Sequence, residues 1–376
     1  MLERGSLTLT ASSTRIKSSG KRLITTLFAG SLLFSCSSVY GKCENSPHVY
    51  NGGRVLFVSP EGKDKGNGSY SFPFNSIQSA LNKAKPGDTV VLLPGVYREN
   101  FHTVRDGLPD KPITIVGTPG ANILGNMKPK GKVVLIENSY ITLMKLSING
   151  QFCPEKTQKC YHNKLIYVKG SPKHYLKGVR ILSVNVSNAL GECIRLKYVK
   201  NGEVAWSSVS HCGLKGFYFH EPTKNGEGIY IGTSINQVKK GKLDRTENIR
   251  IHHNVIATYG SECIDVKEGS RNIYIYDNLC TGNRQETTGG ISIRGNRVFV
   301  SRNIVFGNAG AGIRVGSKCK TFARQNIIVY NILIENTLLP LKILNKNQEK
   351  ICSNKTTPGG ITHEKGAFEP CTGSGE

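Results

Sequence analysis

The stretch Glu262-Cys-Ile-Asp-Val-Lys267 belongs to a pattern that returns several times in the second half of the chain. The related segments are Glu192-Cys-Ile-Arg-Leu-Lys197, Glu227-Gly-Ile-Tyr-Ile-Gly232, Gly289-Gly-Ile-Ser-Ile-Arg294 and Ala311-Gly-Ile-Arg-Val-Gly316. Each alternates apolar and polar residues, which predicts a short β-strand whose aliphatic columns face inward. Repetition of one such unit predicts a solenoid, in which each coil packs only on its neighbours.

A second set of strand patterns alternates with the first, and each carries one asparagine. These residues are Asn254, Asn278, Asn303 and Asn326, with spacings of 24, 25 and 23 residues. A coil of about this length holds roughly three short strands, and the repeated asparagine predicts a ladder of amide hydrogen bonds at one corner. We therefore predict an all-β fold, a right-handed parallel β-helix of about 10–12 coils.

One helix is predicted before the repeat, where it would cap the first coil. Asn75 can cap its N-terminus, and Lys85-Pro86-Gly87 ends it. Between them apolar residues follow at helical spacing, namely Ile77, Ala80, Leu81 and Ala84. We assign residues 42–54 to an N-terminal linker, 55–336 to the β-helix and 337–376 to a polar C-terminal tail.

The first 41 residues have the features of a secretory signal peptide. Lys21-Arg22 precedes an apolar run from Leu23 to Phe34, and small and polar residues follow up to Gly41. This order predicts a signal peptide over residues 1–41 and an extracellular protein.

Cysteine usage agrees with export. Without Cys36 the chain keeps ten cysteines, an even number that is typical of disulfide bonds in an oxidising compartment. Cys153 lies close enough in sequence to Cys160 to close a small loop, and Cys352 could tether the tail through Cys371. Three glycosylation acceptors are also present, at Asn67, Asn185 and Asn354.

The charge balance indicates a polyanionic partner. The chain has 376 residues, with 50 Lys and Arg against 26 Asp and Glu, and a formal net charge of +24. With 38% hydrophobic residues it is too apolar for a disordered chain, and a single apolar stretch excludes a multi-pass membrane protein. Secretion disfavours nucleic acid, so we expect an anionic polysaccharide as partner, no membrane contact after signal cleavage, and a monomer.

Several segments near the N-terminus resemble the opening of the pectate-lyase-like β-helix superfamily. They are Val58-Ser-Pro-Glu-Gly, Pro73-Phe-Asn-Ser-Ile-Gln-Ser-Ala-Leu, Lys85-Pro-Gly-Asp-Thr-Val, Pro94-Gly-Val-Tyr-Arg-Glu and Lys111-Pro-Ile-Thr-Ile, and Gly366-Ala-Phe-Glu369 looks like a closing motif of such chains. The resemblance covers most of residues 55–370 and implies the β-helix fold.

Within that superfamily the pair of motifs around Lys267 and Arg294 looks like the chondroitinase B and alginate lyase family. The resemblance implies that Lys267 is the catalytic base, Arg294 its partner and Glu262 a calcium ligand. Two positions depart from the family pattern. Gly295 follows the arginine where the family usually has histidine, and Gly260 replaces a second acid upstream of the glutamate.

The strand alignment adds further candidates on the outward columns beside this pair. Glu227 and Asp265 join Glu262 as possible metal ligands, because carboxylate oxygens suit Ca²⁺. Four more residues are candidates for substrate binding, namely Arg195, Lys197, Tyr230 and Arg314. We expect these columns to form an exposed groove, with small glycine positions leaving room for a ligand.

These groups suit β-elimination on a uronic-acid sugar. The C5 proton beside the sugar carboxylate is weakly acidic, so its removal needs a base and a cation that neutralises the carboxylate. Lys267 can be that base only if its pKa falls towards neutrality. The sequence thus predicts a secreted polysaccharide lyase that cleaves an anionic uronic-acid polysaccharide of the pectate, alginate or glycosaminoglycan type and uses Ca²⁺. A non-catalytic carbohydrate-binding or cell-wall β-helix and a uronan C5-epimerase are the alternatives.

Two other features have simpler expectations. We expect Trp206, the single tryptophan, to lie in the core. The segment 233–248 should interrupt the coil as an insertion that borders the groove and could clamp a polyanion through its basic residues, which are Lys239, Lys240, Lys242 and Arg245.

Overall fold

The computed structural model describes residues 53–63, 65–128, 131–222, 226–238 and 242–356. The predicted signal peptide, nearly all of the predicted linker, and Cys371 lie outside these residues. In the part that is described, no helix is long and apolar enough to cross a membrane.

The described chain folds into three long sheets of parallel strands, which confirms the predicted β-helix. The first sheet has twelve strands, at Val55–Lys63, Thr89–Leu92, Ile113–Gly117, Ile141–Met144, Leu176–Lys177, Arg180–Leu182, Val199–Ala205, Glu247–His252, Arg271–Tyr276, Asn296–Ser301, Ile327–Val329 and Lys350–Cys352. The second has nine, at Phe101–His102, Lys132–Ile136, Lys164–Lys169, Ile194–Lys197, Ile229–Ile231, Ile264–Val266, Gly289–Ile293, Ala311–Val315 and Leu341–Ile343. The third has ten, at Gly95–Tyr97, Ala121–Ile123, Ser147–Asn149, Asn185–Ser187, Ser208–Ser210, Val255–Ala257, Leu279–Thr281, Ile304–Phe306, Ile332–Ile334 and Lys355–Thr356.

Each strand pairs with the strand one coil earlier and one coil later, so successive coils stack in register. The predicted inward columns are confirmed on the second sheet, where Ile194, Ile229, Ile264, Ile291 and Ile313 are aligned residue by residue. All five are fully buried. β-Branched residues fit this pleated, enclosed surface well, and burying each such side chain contributes about 1.5–3 kcal/mol.

The strands continue beyond the predicted end of the β-helix. Leu341–Ile343, Lys350–Cys352 and Lys355–Thr356 each add to a different sheet. The predicted boundary at 336 is therefore too early. The polar composition of this segment concealed the strands, because at this end of the solenoid a strand needs to bury only one or two apolar residues, such as Leu341 and Cys352.

An asparagine ladder turns the corner between the first and third sheets. Side-chain amides bond from coil to coil with N···O distances of 2.8–2.9 Å along Asn254, Asn278, Asn303, Asn331 and Asn354. The residue before each ladder asparagine has a positive φ, as at His253 and Asp277. These left-handed residues make the turn, and the ladder satisfies the buried amides.

Asn326 is not part of this ladder, so that prediction was wrong. Asn326 lies at the other end of its strand, where its Oδ1 accepts from the Val298 N–H at 2.8 Å. The coil that contains residues 317–325 is longer than the two coils before it, with separations between ladder residues of 28 against 24 and 25, and the constant spacing misled the alignment. Asn354 is buried in the ladder, so it is not available as the predicted glycosylation acceptor, whereas Asn67 and Asn185 are exposed.

The predicted capping helix spans Ile77–Lys83, and its cap is Ser76 rather than Asn75. The Ser76 side chain accepts from the Ser79 N–H, and Glu99 accepts from the Ile77 N–H at 2.6 Å. The remaining helical segments are short, namely an α-helix at Leu214–Phe217 and 3-10 turns at Gln158–Cys160 and Ile235–Gln237.

The disulfide prediction holds in part. Cys153 pairs with Cys160 as expected, and the other bridges between described cysteines are Cys193–Cys212 and Cys263–Cys280. Cys352 is also disulfide-bonded. Cys319, in contrast, is a free thiol, so the even cysteine count does not mean that every cysteine is paired.

Trp206 is exposed, not part of the core. It occupies a left-handed corner position where its side chain points away from the coil interior, and 55% of the residue is accessible. Its ring packs edge-on against His252 with 5.0 Å between ring centroids. The corner conformation, which the sequence pattern does not reveal, explains the error.

Candidate functional site

The predicted site residues all lie on the second sheet or at the ends of its strands. Arg195, Tyr230, Asp265 and Arg314 occupy one outward row that Ser292 completes. The other members flank this row, with Lys197, Lys267 and Arg294 on one side and Glu227 and Glu262 on the other. The strand alignment made from sequence is therefore correct for these residues.

Asp265 is the centre of the cluster and is completely buried. Its carboxylate accepts from Arg294 Nη1 at 2.5 Å and forms an ion pair with the Lys267 ammonium. Arg294 also reaches Glu262, with 3.0 Å between Nη2 and Oε1. Lys267 and Arg294, predicted as neighbours, thus share one carboxylate.

Three carboxylates converge beneath these two cations. Glu227, Glu262 and Asp265 are buried, and each offers an oxygen within 4.8 Å of the others. Their side chains are 5%, 2% and 0% exposed, whereas those of Lys267 and Arg294 keep 10% and 17%. The cations therefore form the outer layer of the cluster and the acids the inner layer.

The pKa of Glu227 is raised in the inner layer. Burial, the largest cause, and the neighbouring carboxylates raise this pKa to about 8 against the opposing effect of Lys267. The Lys267 Nζ lies 4.0 Å from Glu227 Oε1, too far for a hydrogen bond. Glu227 is thus largely protonated at neutral pH.

The pKa of Lys267 moves in the opposite direction to the one a base requires. Burial has the largest effect and lowers it, and Arg294 lowers it further, but Asp265, Tyr230 and Glu227 together outweigh both, so the pKa of Lys267 is raised. Burial would likewise raise the pKa of Asp265, yet Arg294 and Lys267 hold it below its usual range. In this arrangement Lys267 is an ammonium.

Tyr230 is on the outward row and lies between two cations, Arg195 of the same row and Lys267 beside it. Lys267 Nζ and the Arg195 guanidinium each lie 4.4 Å from the centre of its ring. Arg195 continues the charge network, because its Nη1 donates to Glu192 at 3.0 Å and Glu192 also pairs with Lys164. Cation–π contacts of this kind are strengthened when water is excluded.

A short segment after the Ile229–Ile231 strand covers this row. The Ser234 N–H donates to the Tyr230 hydroxyl oxygen at 3.3 Å, and Arg195 Nη2 donates to Gln237 at 3.2 Å. The Ile235 N–H donates to Glu268 at 3.3 Å. The expected insertion is therefore present and covers part of the predicted exposed groove, whose residues are largely buried. Its Lys239 and Lys240 lie outside the described residues.

The accessible edge of the cluster is positive. Arg294, Arg314 and Lys197 are only partly buried, and Arg314 Nη1 donates to the Gly316 carbonyl at 3.0 Å. Burial, followed by the repulsion of Arg294, lowers the pKa of Arg314. Burial and then Arg195 lower the pKa of Lys197. An anion at this edge would relieve the repulsion.

The donor set fits a hard cation such as Ca²⁺. All three candidate ligands, Glu227, Glu262 and Asp265, offer oxygen, which is what Ca²⁺ prefers. Three carboxylates face two cations, and burial together with the neighbouring carboxylates raises the pKa of Glu227. The site therefore has chemical grounds for holding a divalent ion.

Three contributors were not identified as site residues from sequence. Lys164 and Gln237 complete the pairing of Glu192 and Arg195, and Glu268 fixes the covering segment. The position of Glu268 next to Lys267 was a usable signal. No sequence signal pointed to Gln237, because it lies in an insertion and strand periodicity does not predict the path of that insertion.

Comparisons with solved structures show that this fold is shared with polysaccharide lyases. The alginate lyase from Paenibacillus sp. str. FPU-7 superposes with a TM-score of 0.66 at 18% identity, over 82% of this chain and 96% of that one. Pectate lyase Pel9A superposes with a TM-score of 0.56 at 14% identity, over 82% of this chain and 81% of that one. A glycoside hydrolase superposes with a TM-score of 0.55 at 8% identity, over 82% of this chain and 97% of that one. Hydrolases therefore share the fold.

Sequence comparisons reach shorter stretches. The uncharacterized protein YwoF of Bacillus subtilis (strain 168) is 28% identical over 134 residues, and pectate lyase L of Thermoclostridium stercorarium is 28% identical over 96. These matches cover 32% and 24% of this chain, but only 27% and 8% of the two relatives. A family profile matches residues 60–350, most of the described β-helix, and the chain thereby belongs to the family described as "Protein of unknown function (DUF1565)".

Proposed function

We propose that the chain is a secreted polysaccharide lyase that cleaves an anionic uronic-acid polysaccharide by β-elimination. The observation that carries the proposal is the layered cluster, in which Lys267 and Arg294 cover three buried carboxylates. A ligand that approaches this face meets cations first. The disulfides of the β-helix support secretion, since such bonds persist in oxidising compartments.

Binding would start at the positive edge. Arg294 and Arg314 can each donate to a sugar carboxylate, and a guanidinium suits planar, two-oxygen recognition. Neutralising that carboxylate makes the adjacent C5 proton more acidic, which lowers the barrier to its removal. Arg294 is also fixed by Asp265 and Glu262, so it is oriented before the substrate arrives.

Proton removal is assigned to Lys267. As neutral Lys267 takes the C5 proton, the C4–C5 double bond forms and the C4–O bond breaks, and the leaving oxygen takes a proton from the resulting Lys267 ammonium or from water. Lys267 must first lose its own proton, and its ion pair with Asp265 opposes this. The reactive state therefore requires that Asp265 be drawn away from Lys267.

Ca²⁺ is proposed as the cofactor. When bound by Glu227, Glu262 and Asp265, it would supply positive charge that neutralises the substrate carboxylate. The carboxylates of this chain would then be satisfied without Lys267, and Glu227 would give up its proton. Metal binding should accordingly be stronger at higher pH, because the ligands bind in their deprotonated form.

The raised pKa of Lys267 also favours a second candidate, a non-catalytic β-helix that binds anionic polysaccharide. A permanent ammonium paired with Asp265 binds an anion well and removes a proton poorly. The two candidates share the ligand and differ only in whether an unsaturated product forms.

Incubation with pectate, alginate and dermatan, with and without Ca²⁺, separates them. Absorbance of the unsaturated product should rise for the wild type, and Lys267→Ala should lower the rate by about 100-fold or more, the range for loss of a general base. Lys169→Ala is the matched control, because Lys169 lies on the same sheet in an exposed ion pair with Glu137. Binding of the polysaccharide without an unsaturated product would support the non-catalytic binding protein instead.

A further inference from the structure

A second groove lies on the outer face of the first sheet, on a different sheet from the Lys267 cluster. It encloses about 520 Å³, within the usual size range of small-ligand sites. Its lining includes Thr142, Arg180, Glu203, Arg250 and Tyr274. These five residues stand on consecutive coils and pair directly with one another in the sheet.

Glu203 is the only carboxylate in the lining and is surrounded by cations. Arg250 donates to its Oε1 from Nε at 3.2 Å and from Nη2 at 3.0 Å, while Arg180 Nε lies 4.0 Å from its Oε2. His252 Nε2 is 3.1 Å from Oε1. With two arginines for one acid, the floor of the groove keeps an excess positive charge.

The arginines have donors to spare. Their side chains are 45% and 55% exposed, for Arg180 and Arg250 respectively. In the described part of the chain the side chain of Arg180 makes no hydrogen bond, since its contact with Glu203 is too long. A carboxylated ligand could therefore bind Arg180 without breaking an existing bond.

Tyrosines flank this floor. The Tyr140 ring lies directly on Gly178, so closely that an added Cβ there would come within 2.5 Å of the ring. Tyr274, on the far side of Arg250, is largely exposed. Thr142 contributes a buried hydroxyl without a partner among the described residues. Aromatic faces, hydroxyls and arginines together are the groups that recognise a carboxylated sugar.

We propose that this groove binds a short uronate oligosaccharide and forms a second saccharide site on the β-helix. The ligand class rests on the proposed function, but the groove is built from residues that take no part in the Lys267 cluster. Arg180 and Arg250 lie two coils apart, which is roughly 10 Å at about 4.8 Å per coil. Each arginine could therefore bind the carboxylate of a different sugar unit. Such a site would hold the polymer on the protein between cleavage events.

The test is calorimetric titration of uronate trisaccharides prepared from pectate and from alginate, with maltotriose as neutral probe. All proteins carry Arg294→Gln, which weakens the second-sheet site and prevents turnover. Into this background we introduce Arg180→Gln with Arg250→Gln, or, as control, Arg302→Gln. Arg302 matches Arg250 in exposure and in pairing with a carboxylate, that of Asp277, but lies outside the groove lining.

The proposal requires that a uronate trisaccharide still bind in the Arg294→Gln background. The double groove variant should weaken binding about tenfold or more, as expected from losing charged hydrogen bonds, while Arg302→Gln should stay within about twofold. Absence of binding in that background, equal binding of maltotriose, or an unchanged affinity in the double variant would overturn it. Failure of the lyase proposal is seen separately, as missing product absorbance from the wild type.

Hydrogen exchange of the protein without groove substitutions guards against misfolded variants. Adding the trisaccharide to Arg294→Gln should protect amides of the Arg180–Leu182 and Val199–Ala205 strands. Protection confined to Ile264–Val266 would instead place all binding at the Lys267 cluster and contradict a second site.

Discussion

Replacing Glu227 by glutamine should flatten the dependence of stability on pH. Burial raises the pKa of Glu227 to about 8, whereas in the unfolded chain a glutamate titrates near 4.3. Between these two values the folded protein binds one proton more than the unfolded chain. The free energy of unfolding therefore falls as pH rises through this window.

The size of the effect follows from the shift. Each pKa unit corresponds to about 1.4 kcal/mol, so a pKa of about 8 gives an upper limit of about 5 kcal/mol. The cluster is coupled, and Lys267 recovers part of this energy once Glu227 ionises, so we expect a loss of about 2–4 kcal/mol from pH 5 to pH 8. Glutamine has nearly the same shape and cannot ionise.

The assay is urea unfolding at several pH values between 5 and 9 for wild type, Glu227→Gln and Glu349→Gln. Glu349 is exposed and serves as control. Other titrating groups, such as His162 and His211, whose pKa values burial lowers, are common to all three proteins and cancel in the differences. The unfolding midpoints of wild type and Glu227→Gln should lie closest together at about pH 5 and separate progressively up to about pH 8.

Equal pH slopes for wild type and Glu227→Gln would refute the reasoning. They would mean that Glu227 is ionised at neutral pH, and hence that the inner layer has enough positive charge without a metal ion. The raised pKa of Glu227 would then no longer support a calcium site, which would rest on the oxygen donor set alone.

Three further changes test the frame and the metal site. Asn278→Ala should cost about 2–3 kcal/mol by urea unfolding, because it leaves buried ladder groups without partners, while the exposed Asn122→Ala should cost little. Replacing Cys263 and Cys280 by serine opens a loop with a separation of 17 residues and should cost about 3 kcal/mol. Ca²⁺ at about 100 times its dissociation constant should stabilise the wild type by about 2.7 kcal/mol and Glu262→Gln much less, with equal shifts contradicting a site at Glu262.

The sequence was most informative where one physical rule repeats. The isoleucine columns and the row from Arg195 to Arg314 were aligned correctly, because strand alternation and coil stacking act identically on every turn. The rule failed at the irregular coil before Asn331, where the longer loop changed the spacing. Position in a ladder depends on which end of the strand a residue occupies, and a constant spacing does not record that.

Burial of the site was beyond the reach of strand periodicity. Alternation correctly places Asp265 and Tyr230 on the outside of the coil, yet both are buried. The segment with Ser234 and Gln237 contacts Tyr230 and Arg195, and Arg294 and Lys267 contact Asp265. This burial reverses the electrostatic conclusion, because on an open face Lys267 would be a solvated amine beside an arginine, whereas here it is paired with Asp265.

The covering segment and the carboxylate layer together define what catalysis by Lys267 would require. A buried ammonium paired with Asp265 is stable, so catalysis requires something that competes for that carboxylate. The protonated Glu227 marks where the additional positive charge would be accommodated, since its proton is the first that an incoming cation would displace. Lys267 as base and Glu227, Glu262 and Asp265 as metal ligands are therefore not independent hypotheses. If calcium does not bind here, the pairing of Lys267 with Asp265 favours binding of anionic polysaccharide over its cleavage.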